Sequence, residues 1–148
     1  VIRSIIEYLA QNSKTPELRD VLLDILDTPV SPELLPQNGD LAQHTEELIG
    51  PYELHDFFIY HMLLGGASPE KVLRIACYAF LGKYSEAEIQ HWLKLFCRRF
   101  FSQQFKRSCM PDSPAVSTLT LSSRTGWQMP SDASSNIWLE QLNKNQVQ

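Results

Sequence analysis

The sequence predicts a mostly α-helical chain, and three observations carry that prediction. Apolar residues recur at three- and four-residue spacing through most of the 148 residues. Start signals, a hydroxyl or glycine followed by proline and an acid, stand before several of these runs. The segments between the runs hold clustered prolines, Asn38-Gly39 and hydroxyls rather than the alternation of strands.

Each helix has its own local reason. Ile2, Ile5, Ile6 and Leu9 predict a first helix over about 2–12. Thr15-Pro16-Glu17 is a capping hydroxyl followed by proline at the first helical position. Leu18, Val21, Leu22, Ile25 and Leu26 form the stripe of a second helix over about 16–27, ended by Thr28-Pro29. Residues 28–50 read as a long loop, with a helical turn after Ser31-Pro32. Loops of that length inside a domain are uncommon and often functional.

Gly50-Pro51-Tyr52-Glu53 opens a helix over about 51–64, rich in Leu54, Phe57, Phe58, Met62 and Leu63, and Gly65-Gly66 closes it. Ser68-Pro69-Glu70 opens the next, over about 69–81. Ser85 and Glu88 form a capping box for the longest helix, over about 86–107. That helix carries Ile89, Trp92, Leu93, Phe96 and Phe100 on one side, and Pro111 and Pro114 fix its end at or before Cys109. Residues 108–132 read as loop. Ile137, Trp138, Leu139 and Leu142 predict a short last helix over about 133–143, with Asp132 as its N-cap. The even spacing of cap signals raises the question of a repeat, but the helices share no residue pattern.

Composition bounds the function. The net charge of −4 argues against a dedicated nucleic-acid binder, without excluding a local basic patch. No apolar run approaches a membrane span, and no secretory leader is visible. Three cysteines, odd in number and far apart, read as reduced thiols of a cytosolic protein. The chain starts with Val1 and is at once helical, which suggests a fragment with a missing upstream part.

Each candidate site residue also has an ordinary structural role. His44, His55, His61 and His91 have no ligand spacing with the cysteines, so no metal site is expected. Cys77 and Cys97 suit the core as small hydrophobes. Glu33 and Asp40 in the long loop are expected to be solvated acids rather than magnesium ligands. Lys94, Arg98, Arg99, Lys106 and Arg107 form a basic run with no acid between Glu88 and Asp112. Periodicity favours simple helix-end cations, each worth about 0.3–1 kcal/mol. The functional reading is an anion site, because a lysine and an arginine beside hydroxyls suit a phosphate or carboxylate. Trp127 either pins its loop to the core or stacks on a ring.

Recognition adds what spacing cannot. "GPYELHDFFIYHMLLGGASPEKV", "RRFFSQQFKRSCMPDSPAV" and "LSSRTGWQMPSDA", with "DTPVSPELLP" before them, closely resemble the C-terminal part of glutamine-dependent NAD synthetases over roughly residues 15–142. The resemblance implies a nitrilase-like glutaminase joined to a synthetase domain of the adenine-nucleotide α-hydrolase type, an α/β fold of which this chain is the helical C-terminal segment. It implies a ligase that adenylates the nicotinate carboxylate of deamido-NAD with Mg-ATP and lets ammonia from glutamine displace AMP. By resemblance Lys106, with Phe105 beside it, contacts deamido-NAD. Ser31 aligns more weakly with an ATP contact. The loop carrying Arg124 and Trp127 folds over the substrate.

Two departures accompany the resemblance. The pyrophosphate-gripping serine-glycine-glycine loop and the glutaminase are absent, so the chain is expected to be a fragment inactive alone, with the main Mg-ATP ligands elsewhere. The family's tail usually reads serine-proline-arginine-glycine-aspartate-tryptophan-arginine. Here Gly126 stands for the aspartate and Gln128 for the second arginine, while Ala115 replaces a lysine in the proline-rich loop. Three charged positions are thus neutral, which weakens the case for substrate binding through this loop. The implied partners are deamido-NAD, ATP and the missing upstream regions, in a cytoplasmic enzyme whose parent is a homo-oligomer, with neither nucleic acid nor membrane. The rivals are a stand-alone helical interaction module using Lys94, Arg98 and Arg99, and single-strand nucleic-acid binding through Lys106, Arg107 and Trp127, which the net charge disfavours.

Overall fold

The computed structural model describes residues 2–28, 45–112, 115 and 117–144. Among the described residues every regular element is a helix. In order they are α1 (Ile2–Gln11), α2 (Pro16–Asp27), α3 (Thr45–Ile49), α4 (Tyr52–Ile59) running on as a π-helical turn (Tyr60–Leu64), α5 (Pro69–Ala79), α6 (Glu86–Ser102), α7 (Gln104–Ser108) and α8 (Asn136–Lys144). The chain divides into two units, Val1–Leu48 and Ile49–Gln148.

In the first unit α1 and α2 form a hairpin. Ala10 is buried at the contact, where its small side chain suits a close approach of the two helices. The Arg3 guanidinium donates to Leu26 O at 2.8 Å and ties the two helices across 23 residues. Thr15 precedes Pro16 as expected, but its side chain makes no capping hydrogen bond. The turn is held instead by Ser13, whose hydroxyl accepts from Thr15 N and donates to Thr15 O. Ile2, Ile5, Tyr8, Leu9, Leu18, Val21 and Ile25 are exposed.

In the second unit α4, α5, α6 and α8 surround one core. Leu54 and Phe58 of α4, Met62 of the π turn, Val72, Leu73 and Ala76 of α5, five residues of α6 and Leu142 of α8 are all buried. The caps explain where the helices start. Ser68 accepts from Lys71 N with Pro69 at the first position, and Ser85 and Glu88 make both halves of their capping box. Gly50 is required twice over. Its φ is +95°, and a Cβ there would lie 2.5 Å from the Trp92 ring. The Tyr84 hydroxyl donates to Glu53 at 2.5 Å and Lys83 pairs with the same carboxylate, joining the α5–α6 turn to α4.

The structure corrects four expectations. The helix over 51–64 is not uniform: Gly65 N bonds back five residues to Tyr60 O, the signature of a π turn. The long loop contains α3. The longest helix does not reach residue 107; it ends at Ser102, and α7 restarts after Gln103. The last helix begins at Asn136, not 133, and the Ser134 hydroxyl rather than Asp132 accepts from Asn136 N. The apolar run from Tyr52 to Leu64 mostly supplies this unit's own core; Tyr52, Tyr60 and Leu64 remain exposed.

Candidate functional site

The end of α6, the short α7 and the loop over 119–130 meet at one corner of the second unit. Phe100 is its centre. The ring is 5% exposed and packs against Phe96, Phe101, Trp127 and Trp138. Trp138 of α8 stacks nearly parallel to it at 6.3 Å, and Trp127 meets it edge-on at 6.0 Å. Trp127 therefore pins its loop to the core. Its backbone N–H donates to Thr120 O, and Gly126 N donates to Ser122 O, which folds 120–127 into a tight turn.

The break at Gln103 decides which side chains of "QFKR" face in. Gln104 and Arg107, three residues apart, turn toward the core; Phe105 and Lys106 turn to solvent. The Arg107 guanidinium lies 4.1 Å over the Phe100 ring. It donates to Phe100 O at 2.5 Å and to Gln104 Oε1. Burial pushes the Arg107 pKa down, and its Nε has no partner among the described residues. Arg107 is thus committed to the protein, and the pair of free cations expected at this helix end reduces to Lys106. No described acid forms an ion pair with Lys106. Phe105 beside it is 60% exposed, an unusual setting for a large apolar ring next to a free ammonium.

Arg124 pairs with Asp112 across the mouth of the loop, with both groups largely exposed. An exposed pair of this kind contributes about 0–1 kcal/mol. Gly126 explains one departure from the family pattern: a side chain there would run into the carbonyl and methyl of Thr120, so the turn as folded has no room for an aspartate. Gln128 and Ala115 are exposed. Ser31, Glu33, Asp40 and His44 lie outside the described residues.

Described histidines pack against aromatic rings. His55 Nε2 shares a 2.6 Å hydrogen bond with Ile49 O, and its ring meets Phe58 and Phe96. His61 lies 4.2 Å from Phe57. Among the described residues no three His, Cys, Asp or Glu groups come together for a metal. Cys97 is buried and its thiol is pushed up to about 12 by desolvation; Cys77 is half-buried and Cys109 exposed. No described helix is long and apolar enough to cross a membrane.

Sequence reasoning missed Gln104, the only polar side chain buried among the described residues. Its Nε2 donates to Met129 O at 3.2 Å, across 25 residues. The signal was available: Ile89, Leu93, Phe96, Phe100 and Gln104 continue one helical stripe, so a core position at the end of that stripe is polar.

No family model matches the chain. Among curated proteins it is similar to the "Glutamine-dependent NAD(+) synthetase" of Mycobacterium tuberculosis (strain ATCC 25618 / H37Rv), 38% identical over 143 aligned positions that cover 84% of this chain and 21% of the relative. The protein of the same name from Mycobacterium leprae (strain TN) is 37% identical over 164 positions, covering 97% of this chain and 24% of the relative. The chain thus spans about a fifth to a quarter of the length of the curated relatives it matches. On this likeness, carried across most of its residues, the chain belongs to the glutamine-dependent NAD(+) synthetase family and matches one segment of it.

Proposed function

We propose that the chain is the carboxy-terminal part of a carbon–nitrogen ligase that amidates deamido-NAD to NAD with ammonia drawn from glutamine, and that it carries part of the deamido-NAD site. The observation that supports this reading most is Lys106. It is a solvent-facing ammonium at a helix end, unpaired among the described residues, with an exposed aromatic ring beside it and a half-buried arginine behind it. An anionic dinucleotide offers both a phosphate for the cation and a planar ring for the aromatic face.

The chemistry sets what the segment has to do. A carboxylate is a poor acyl donor, and adenylation by Mg-ATP supplies the leaving group. Among the described residues no three His, Cys, Asp or Glu groups gather for a metal, and the main Mg-ATP ligands belong to the parent's upstream regions in this reading. This chain's own residues bind and orient. Lys106 offsets substrate charge from a short helix fixed to the core, Phe105 covers a ring, and the loop with Arg124 and Trp127 borders the site. The 148 residues alone are inactive in this reading, and the complete enzyme is cytoplasmic and oligomeric.

A second reading draws on Arg98 and Arg99. Both are exposed and form no ion pair among the described residues, which suits an acidic partner protein. A hybrid enzyme separates the two. A mycobacterial synthetase in which the aligned segment is replaced by these 148 residues forms NAD from deamido-NAD, ATP and ammonia under the first reading. In that hybrid Lys106→Ala impairs deamido-NAD use, whereas Arg98→Ala with Arg99→Ala does not.

A further inference from the structure

The face of α7 turned away from solvent carries the next inference. Lys106 is presented by a helix of five residues, Gln104–Ser108, too short to hold its own orientation in water. What holds it is a chain of polar contacts on its inner side. Gln104 is 3% exposed and both ends of its amide are engaged: Nε2 donates to Met129 O, and Oε1 accepts from Arg107. Arg107 in turn donates to Phe100 O, a carbonyl of the last turn of α6, and its guanidinium carbon lies 4.1 Å over the Phe100 ring. Three segments are joined in this way: the end of α6, the helix that presents Lys106, and the loop that carries Trp127. On that last segment Met129 O is held two residues beyond a tryptophan packed on the same Phe100 ring.

We infer that Gln104 and Arg107 are positioning residues that lock the Trp127 loop to the helix presenting Phe105 and Lys106, so that the two walls of the dinucleotide site keep a fixed separation. The geometry favours this over a merely structural role. A polar pair is an expensive way to close a core edge, since each buried group needs its partner. Leucine or methionine at 104 would fill the same space without that requirement. The amide instead supplies a directed bond to one loop carbonyl. The alternation within four residues, inward at 104 and 107 and outward at 105 and 106, makes any rotation of α7 that moves Lys106 also break the bond to Met129.

The inference rests on the deamido-NAD reading, and the experiment keeps the two apart. Gln104→Glu removes the donor to Met129 O yet leaves an acceptor for Arg107, so the helix stays tied while the loop is released. Gln104→Leu removes both contacts and serves as the second variant, and Arg107→Lys keeps the charge but loses the planar fork. In the 148-residue chain, amide hydrogen exchange of Gly126 and Trp127 is expected to rise about three- to tenfold in Gln104→Glu, with Leu93 and Phe96 unchanged. In the hybrid synthetase KM for deamido-NAD rises by a similar factor, while KM for ATP and ammonia stays the same. Exchange that rises equally in the core and the loop, or in neither, overturns the tether. A released loop with unchanged KM for deamido-NAD overturns the positioning role, provided Lys106→Ala still raises that KM. If Lys106→Ala has no effect either, the substrate reading itself fails and the positioning role falls with it.

Discussion

Replacing Lys106 by alanine in the hybrid synthetase separates a substrate-binding cation from a helix-end one. Lys106 is exposed and meets no acid among the described residues, so its truncation removes no ion pair among them. Surface changes of that kind alter stability by no more than about 0.5 kcal/mol. A charge-assisted contact to the dinucleotide is worth about 1.5–3 kcal/mol. Its loss lowers kcat/KM for deamido-NAD by roughly one to two decades, with ATP parameters little changed. Arg107→Ala differs in that it costs stability as well as positioning. It strips the donor from Gln104 Oε1 and from Phe100 O and uncovers the Phe100 ring, at a cost of about 1–3 kcal/mol in stability. Steady-state kinetics with each substrate varied in turn, paired with thermal melts of both variants, read the two effects separately. Unchanged deamido-NAD kinetics in Lys106→Ala refute the substrate role. A melt of Lys106→Ala as low as that of Arg107→Ala refutes the geometry.

Other consequences follow from the same structure. Gly50→Ala places a methyl into the Trp92 ring at a φ of +95° and is expected to cost at least about 2 kcal/mol, read by denaturant titration, whereas Gly66→Ala, at φ +61° with open space around it, costs about 1 kcal/mol. Cys109 is expected to react with iodoacetamide at pH 8 while Cys97, pushed up to about 12, stays unlabelled until the chain is denatured; peptide mass mapping checks this. Lys83 and Tyr84 hold the Glu53 carboxyl below its ordinary value of 4.5. A depressed carboxyl contributes stability above its unfolded pKa and loses it as pH falls through the folded one, so Glu53→Gln lowers stability at neutral pH and flattens its fall below about pH 4.5. The exposed apolar residues of the α1–α2 hairpin are expected to bind a hydrophobic dye, and Ile5→Glu with Val21→Glu to suppress the signal.

How far the sequence could be read depended on the kind of interaction that fixes each element. Ser68-Pro69 and Ser85 with Glu88 act within four residues, so α5 and α6 begin where the local chemistry says. The π turn has a subtler origin. Leu54, Phe58 and Met62 repeat every four residues, which drifts on a helix of 3.6 residues per turn, and the wider turn at Tyr60–Leu64 keeps Met62 in the core. The break at Gln103 depends on distant partners, since Gln104 has to meet Met129 and Arg107 has to reach back to Phe100. Nothing local predicts those bonds, and Arg107 consequently read as a second free cation. Lys106 stood out in the basic run, but a substrate role for it and for Phe105 comes only from likeness to a family; their exposure is what the structure adds.

The most direct test of the central claim is NAD formation by the hybrid synthetase, with deamido-NAD, ATP and ammonia supplied and NAD measured by an enzymatic cycling assay. The account predicts NAD formation that depends on deamido-NAD and falls by one to two decades in kcat/KM with Lys106→Ala. A folded hybrid that binds ATP yet forms no NAD, or one that forms NAD equally well without Lys106, would contradict it.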